Sequence, residues 1–387
     1  MGYAEASQKT AGIHMRLFAR AFAFRDAEGR SAAFVNVDAG MISPMMKLKA
    51  QLYTEANVLL SATHTHSGPG GYHGYTLYAI STLGYFADTF NTLANGIARS
   101  IELAHASLRP TKTAIQLRTA GQFWPSSLRA HNTDRDMTVV KLVDANSGKP
   151  FGMLNWFAVH PTSMNNTNLL ISGDNKGWAA QAFERFMDYQ AGTNTLPGGQ
   201  RFVASFANAN EGDSQHRRPR CMDTGEPCDI ATSTCGGKAK HCVASGPGKD
   251  MLDSTRIIGL KQFGRAMYVD MSNQQLTVNG RRVRTCPPAM VFAAGTPTVR
   301  AVFDFTQGDT SGNPFWNLVR GILSKPNQEQ INCHSPKPIL LNTGYALADN
   351  GMTGAKVVLS GVSNLYSSYV TTFEEYQVSG DKVDVNN

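Results

Sequence analysis

Val58-Leu59-Leu60-Ser61-Ala62-Thr63-His64-Thr65-His66-Ser67-Gly68-Pro69-Gly70-Gly71 is the stretch from which the rest of the chain can be read. Its first five residues form an apolar, β-compatible run of the length expected for a buried strand. The glycine-proline run that follows can neither continue a strand nor begin a helix, so the chain must turn there. In extended backbone alternate side chains share a face, which sends His64 and His66 into the same space at the strand's end. Two imidazoles fixed side by side on a rigid element are the start of a zinc site. A bare His-x-His is as often a polar loop with two solvated histidines, so the argument rests on its surroundings.

Upstream, Ile13 to Phe22 alternates as a strand and Ser31 to Asp38 reads as another, followed by a short helix over Pro44 to Glu55. Downstream, Tyr85 to Leu108 carries Phe86, Phe90, Leu93, Ile97 and Ile101 at helical spacing. Thr113 to Thr119, Met137 to Val143 and Phe151 to Ala158 read as strands, and Gly177 to Met187 as a helix. Asp213 to Lys249 reads as irregular. A short helix over Pro314 to Leu323 and a strand over Lys356 to Ser360 close the pattern. Strands mixed with helices indicate an α/β (α+β) catalytic domain, with mixed β-sheets covered by helices and the zinc site at strand ends. No internal repeat or linker divides the chain, so residues 1–377 are expected to form one catalytic unit and residues 378–387 a polar tail.

The 387 residues are 42% hydrophobic and 17% charged, which suits a globular enzyme and excludes disorder. The net charge of +7 is spread thinly, without the sharp basic footprint of a nucleic-acid binder. No apolar run approaches the ~18 residues of a membrane span. Cys221, Cys228, Cys235 and Cys242 recur at seven-residue spacing, with Cys286 and Cys333 apart. Zinc knuckles need Cys-x₂-Cys pairs, which are missing, so an even count in loop-like sequence favours disulfides and an oxidising compartment. An extracellular or secretory-pathway location follows, with no signal peptide visible in the chain. Six cysteines allow 15 connectivities, and spacing does not choose among them.

A catalytic zinc takes about three protein ligands and keeps an open position. His160 ends the run Met153 to Val159 and is halted by Pro161, so it too sits at a strand end. Alone it reads as a satisfied buried histidine. Beside a His-x-His in a comparable position, the ligand reading overtakes that one.

Ser61 to Tyr72 resembles the signature of the neutral ceramidase family. Further stretches resemble the same family in the same order: Asn36-Val37-Asp38-Ala39-Gly40-Met41, Trp156 to Asn166, and Ser172-Gly173-Asp174-Asn175-Lys176-Gly177. Pro314-Phe315-Trp316, Pro338 to Leu341 and Tyr369 to Tyr376 continue the series, so the resemblance runs from Met1 to about Gln377. It implies a zinc-dependent amidohydrolase that cleaves the N-acyl bond of ceramide to sphingosine and a fatty acid, acting on lipid at a membrane surface. One Zn²⁺ per chain is implied, with His64, His160 and Tyr369 as ligands and His66 beside the metal as hydrogen-bond donor or proton shuttle. Without the motif, Tyr369 reads as an ordinary half-buried strand tyrosine. Ser214, in Glu211-Gly212-Asp213-Ser214-Gln215-His216, is the nearest match to the family's nucleophilic serine, displaced by one residue. The implied disulfides are Cys221–Cys235, Cys228–Cys242 and Cys286–Cys333.

The chain departs from the family in blocks. No glutamate stands between Thr343 and Tyr369, where a further zinc ligand is expected. Phe123 to Arg129 is too short for the segment carrying a substrate-side arginine, and Asp381 occupies the place of a second active-site tyrosine. The polar stretch after Gln377 is not expected to form the family's C-terminal β-sandwich. These losses predict weak zinc binding and slow hydrolysis, unless another carboxylate such as Asp38 or Asp349 replaces the missing ligand. The alternative reading is a catalytically impaired ceramidase-like protein or shortened isoform that keeps the fold and binds lipid. A metal-independent hydrolase using Ser214 is the weakest reading, because no G-x-S-x-G elbow surrounds that serine.

Overall fold

A computed structural model describes residues 2–3, 7–47, 53–54, 57–74, 78–79, 82–119, 136–193, 202–209, 211, 218–229, 234–238, 241–267, 273–274, 289–291, 327–335, 339–342 and 360–363. The first half builds a three-stranded sheet and its cover. After a two-residue strand β1 (Gly12–Ile13), β2 (Ala19–Arg25) and β3 (Ser31–Val37) pair antiparallel. Helix α1 (Pro44–Lys47) leads to β4 (Val58–Ala62), which pairs parallel with β3 so that Val37 stands opposite Ala62. Helix α2 (Ala87–Ala106) buries Phe90, Ala94, Ile97 and Ile101, one apolar stripe at helical spacing. That stripe packs on Val35, Val37, Leu60 and Ala62.

The second sheet follows. Strands β5 (Thr111–Thr119), β6 (Asp136–Asp144) and β7 (Pro150–Trp156) form an antiparallel meander. A short β8 (Leu170–Ile171) pairs with β1. Helix α3 (Asp174–Gln190) then crosses to β9 (Val203–Ala207), which lies parallel to β7 with Trp156 opposite Ala207. With β12 (Asn273–Gln274) at the far edge, the sheet order is β12-β5-β6-β7-β9. Alternate residues of β6 and β7 serve two different cores. Val140, Leu142 and Leu154 meet Phe22 and Phe34 of the first sheet. Met137, Val139 and Met153 face α3 and α4 (Met251–Met267) through Ala179, Phe183 and Ile258. The stack is therefore helix, sheet, sheet, helices, with strand period two supplying both faces of the inner sheet. Each fully buried large apolar side chain here contributes about 1.5–3 kcal/mol.

The remaining elements are β10 (Arg218–Cys221), β11 (Cys242–Ser245), β13 (Ala289–Val291), α5 (Gln328–His334) and β14 (Ile339–Asn342). The stretch read as irregular holds an antiparallel ladder, β10 with β11, in which Cys221 stands opposite Cys242. Its disulfides are Cys221–Cys235 and Cys228–Cys242, with Cα separations of 5.5 and 5.8 Å. Cys333 is also disulfide-bonded, while Cys286 lies outside the described residues. Pro314 to Leu323, residues 356–359 and the tail lie outside them too. The first predicted strand is interrupted: a bend at His14 and Met15 separates Gly12–Ile13 from β2, which begins at Ala19.

A buried ion triad ties the two halves together. Arg20 of β2 donates to Asp38 at the end of β3 (3.0 Å) and to Glu184 of α3 (2.7 Å). Asp38 also accepts from the Phe18 amide at 3.1 Å. Asp38, the carboxylate that could replace a missing metal ligand, is engaged through Oδ2 in the scaffold and is not in the group that could hold a metal. Asp349 lies outside the described residues.

Candidate metal centre

Two pairs of parallel strands, β3 with β4 and β7 with β9, send their carboxyl ends to one place. Parallel sheets concentrate their outgoing loops at that edge, where ligands commonly bind. The Asn208 side-chain amide, just past β9, donates to the Thr63 carbonyl at 2.7 Å and joins the two edges.

His64, His66 and His160 meet there, all buried, with one ring nitrogen from each lying within 4.8 Å of the others. Ring centroids are 4.6 Å apart for His64 and His66, 5.0 Å for His64 and His160, and 5.5 Å for His66 and His160. The route differs from strand alternation. β4 ends at Ala62, and His64 adopts a left-handed backbone with φ of +66°. For a residue with a Cβ this conformation costs of order 1–3 kcal/mol and persists only where the surroundings enforce it. The turn brings both rings inward, with the two Nε2 atoms 3.1 Å apart.

The donor set fits a zinc ion. His64 Nδ1 lies 2.5 Å from the Gly40 carbonyl, an acceptor that requires the proton on Nδ1 and leaves Nε2 as a lone pair facing inward. Tetrahedral zinc with bonds of ~2.0–2.1 Å sets its ligand atoms ~3.3 Å apart. The His64 and His66 Nε2 atoms stand at about that spacing, so an ion held on His64 Nε2 would lie beside the His66 ring. Among the described residues this metal-competent group is three imidazoles, with no carboxylate in it.

The surrounding loops hold these rings in place. The Tyr72 hydroxyl accepts from the Met41 amide (3.1 Å) and donates to the Met41 carbonyl (3.0 Å), pinning the turn that carries Gly40. Thr65 Oγ1 donates to the Ser172 carbonyl at 2.7 Å. Asn175 Nδ2 donates to the His160 carbonyl (3.2 Å) and to Ser163 Oγ (3.0 Å). Asp174 opens α3 with φ of +52° and accepts from the Ser163 and Met164 amides. Its charge also suits the helix N-terminus. Tyr3 lays its ring 4.4 Å from that of His66, and its hydroxyl donates to the Met164 carbonyl. The Gly2 amide donates to the His66 carbonyl at 3.1 Å, and a Cβ there would come within 2.7 Å of the His66 Cα.

Of the residues singled out from sequence, the structure brings together His64, His66 and His160; Ser214 and Tyr369 lie outside the described residues. Sequence reasoning passed over Gly40, Tyr3, Asn175 and Asn208. Gly40 and Asn175 sat inside quoted motifs, but a backbone carbonyl and an amide cap leave no chemical signal of their own.

The sequence profile described as neutral/alkaline non-lysosomal ceramidase, N-terminal, matches residues 1–122, 125–267 and 264–353. Neutral ceramidase A of Dictyostelium discoideum is 37% identical over 479 aligned residues, covering 98% of this chain and 66% of its own length. Neutral ceramidase 1 of Arabidopsis thaliana is 36% identical, covering 98% of this chain and 69% of its own. Among solved structures, the ceramidase complexed with C2 superposes with a TM-score of 0.71 at 30% identity, covering all of this chain and 69% of that one. The neutral ceramidase from Pseudomonas aeruginosa gives 0.67 at 31% identity, covering 97% and 66%. The chain thus spans about two thirds of the length of these relatives. An alignment of 479 positions against 387 residues leaves internal segments of the Dictyostelium relative unmatched. One interruption of the family profile, between residues 122 and 125, falls at the segment too short for the expected arginine.

Proposed function

Because the chain belongs to the neutral/alkaline non-lysosomal ceramidase family, we propose that its histidine pocket is the metal centre of a zinc-dependent amidohydrolase that cleaves the N-acyl bond of ceramide. The convergence of His64, His66 and His160 at the strand ends carries this reading. His64 and His160 would hold the ion, with Tyr369 as a third ligand. When bound, zinc supplies Lewis acidity toward the scissile carbonyl and acidifies water. The chain's own groups do the rest. Gly40 fixes the His64 tautomer, and His66 stands where an imidazole can pass a proton toward the leaving amine or donate to the developing oxyanion. Burial of all three rings excludes bulk water and strengthens those hydrogen bonds. Ser214 is the candidate nucleophile.

The chain's departures from the family favour a second reading alongside the first, a ceramidase-like protein impaired in catalysis. Three neutral imidazoles without a carboxylate form a weaker cation site than one with an anionic ligand. Two disulfides in a surface ladder support a secretory-pathway or cell-surface location, where ceramide is met at a membrane surface. Hydrolysis of N-acylsphingosine by the purified chain, with zinc added and with a chelator, tests the proposal. The expected result is turnover at least 100-fold below that of an intact relative, stimulated by zinc and lost in His160→Ala. Turnover insensitive to chelator and to His160→Ala would contradict it.

A further inference from the structure

Lys176 is the third residue of α3 and wholly buried. A cation in the first turn of a helix opposes the macrodipole, and an ammonium taken out of water is costly to the fold. Its partners indicate what is gained. Nζ donates to the Phe157 carbonyl (2.8 Å), to the Ala207 carbonyl (3.2 Å) and to Gln262 Oε1 of α4 (3.3 Å). Three acceptors match the three N–H groups of an ammonium.

The two carbonyls lie where β7 and β9 run out toward the histidine pocket, and the Phe157 amide donates to the same Ala207 carbonyl at 3.2 Å. Three residues beyond Phe157 comes His160. One residue beyond Ala207 comes Asn208, whose amide holds the Thr63 carbonyl immediately before His64. Asn175, adjacent to Lys176, holds the His160 carbonyl, and Gln262 closes the loop by donating to Asn175 Oδ1 at 2.9 Å. A single side chain therefore grips both strand exits that lead to metal-site histidines.

We propose that Lys176 is a positioning residue for the metal centre, clamping the outgoing ends of β7 and β9 and thereby setting where His160, and through Asn208 also His64, present their nitrogens. This rests on the reading of the histidine pocket as a metal site. Residues that orient metal ligands from outside the coordination shell typically contribute about 10–100-fold to affinity.

Cobalt(II) absorption with zinc competition, on the full chain, separates the possibilities. His160→Ala should abolish the cobalt d–d bands. Lys176→Met should weaken affinity at least about tenfold and shift the bands, and Gln262→Ala should act in the same direction to a smaller extent. Ile258→Ala, which opens a cavity in the neighbouring core and removes none of the clamp's hydrogen bonds, should lower the melting temperature and leave affinity unchanged. Wild-type bands and affinity in folded Lys176→Met would overturn the proposal, as would an equal loss in Ile258→Ala. If Lys176→Met does not fold, unchanged affinity in Gln262→Ala overturns it instead. Wild-type behaviour in His160→Ala would contradict the metal-site reading itself, a different failure from that of the clamp.

Discussion

Among the described residues two cationic side chains are buried in the inner layers, Arg20 and Lys176, and they are anchored by opposite means. Arg20 faces two carboxylates, Asp38 and Glu184, the latter through two parallel hydrogen bonds of 2.7 and 3.2 Å. Lys176 faces two backbone carbonyls and an amide oxygen. Burial opposes the charge of Arg20, but the adjoining Glu184 and Asp38 carboxylates more than offset it and push its pKa above the usual value. Burial pushes the Lys176 ammonium down to about 7, with Glu211 pulling it back only in part. A guanidinium between carboxylates is a permanent tie between β2, β3 and α3. A lysine held by neutral dipoles, its burial only partly offset by Glu211, carries a charge the fold disfavours, so the fold gains as that proton leaves.

The largest consequence of the contrast falls on Arg20. Arg20→Met strands two buried carboxylates without a counter-charge, and chemical denaturation at pH 7 should report a loss of about 3–5 kcal/mol. A loss below about 1 kcal/mol would show that the triad is solvated rather than sealed. Lys176 gives a smaller effect that depends on pH. The unfolded lysine holds its proton to about 10.5, while the folded one releases it near 7. Between those values the unfolded chain binds more protons, so stability from this group rises with pH, by at most about 1.4 kcal/mol per unit. Wild-type stability should therefore climb relative to Lys176→Met between pH 7 and 9. Parallel profiles of the two proteins would remove the distinction between the two anchors.

The same contrast shows what could be read before the structure. Strand and helix placement followed from periodicity: Phe90, Ile97 and Ile101 marked the α2 core face directly, whereas Phe86 is exposed and Leu93 only partly buried. The T-H-T-H and V-H-P runs identified two loops, because each closes an apolar strand and the two occur in one chain. The geometry of their meeting was not legible, since nothing in a histidine predicts a left-handed backbone at His64. Nor was the support legible. Gly40 acts through its carbonyl and Asn208 through an amide that crosses between sheets, contacts that exist only once β3, β4, β7 and β9 are assembled. Lys176 and Asp38 were quoted as motif letters. Lysine at a helix start reads as solvated, and the structure shows it sealed.

The central claim is that the three-histidine pocket is a zinc site. Zinc K-edge X-ray absorption on the zinc-loaded 387-residue chain tests it most directly. The account predicts a first shell of nitrogen and oxygen at ~2.0–2.1 Å, with the multiple-scattering pattern of at least two imidazoles, lost in the His64→Ala, His160→Ala double variant. A shell of oxygen alone, or an imidazole pattern that survives the double substitution, would contradict it.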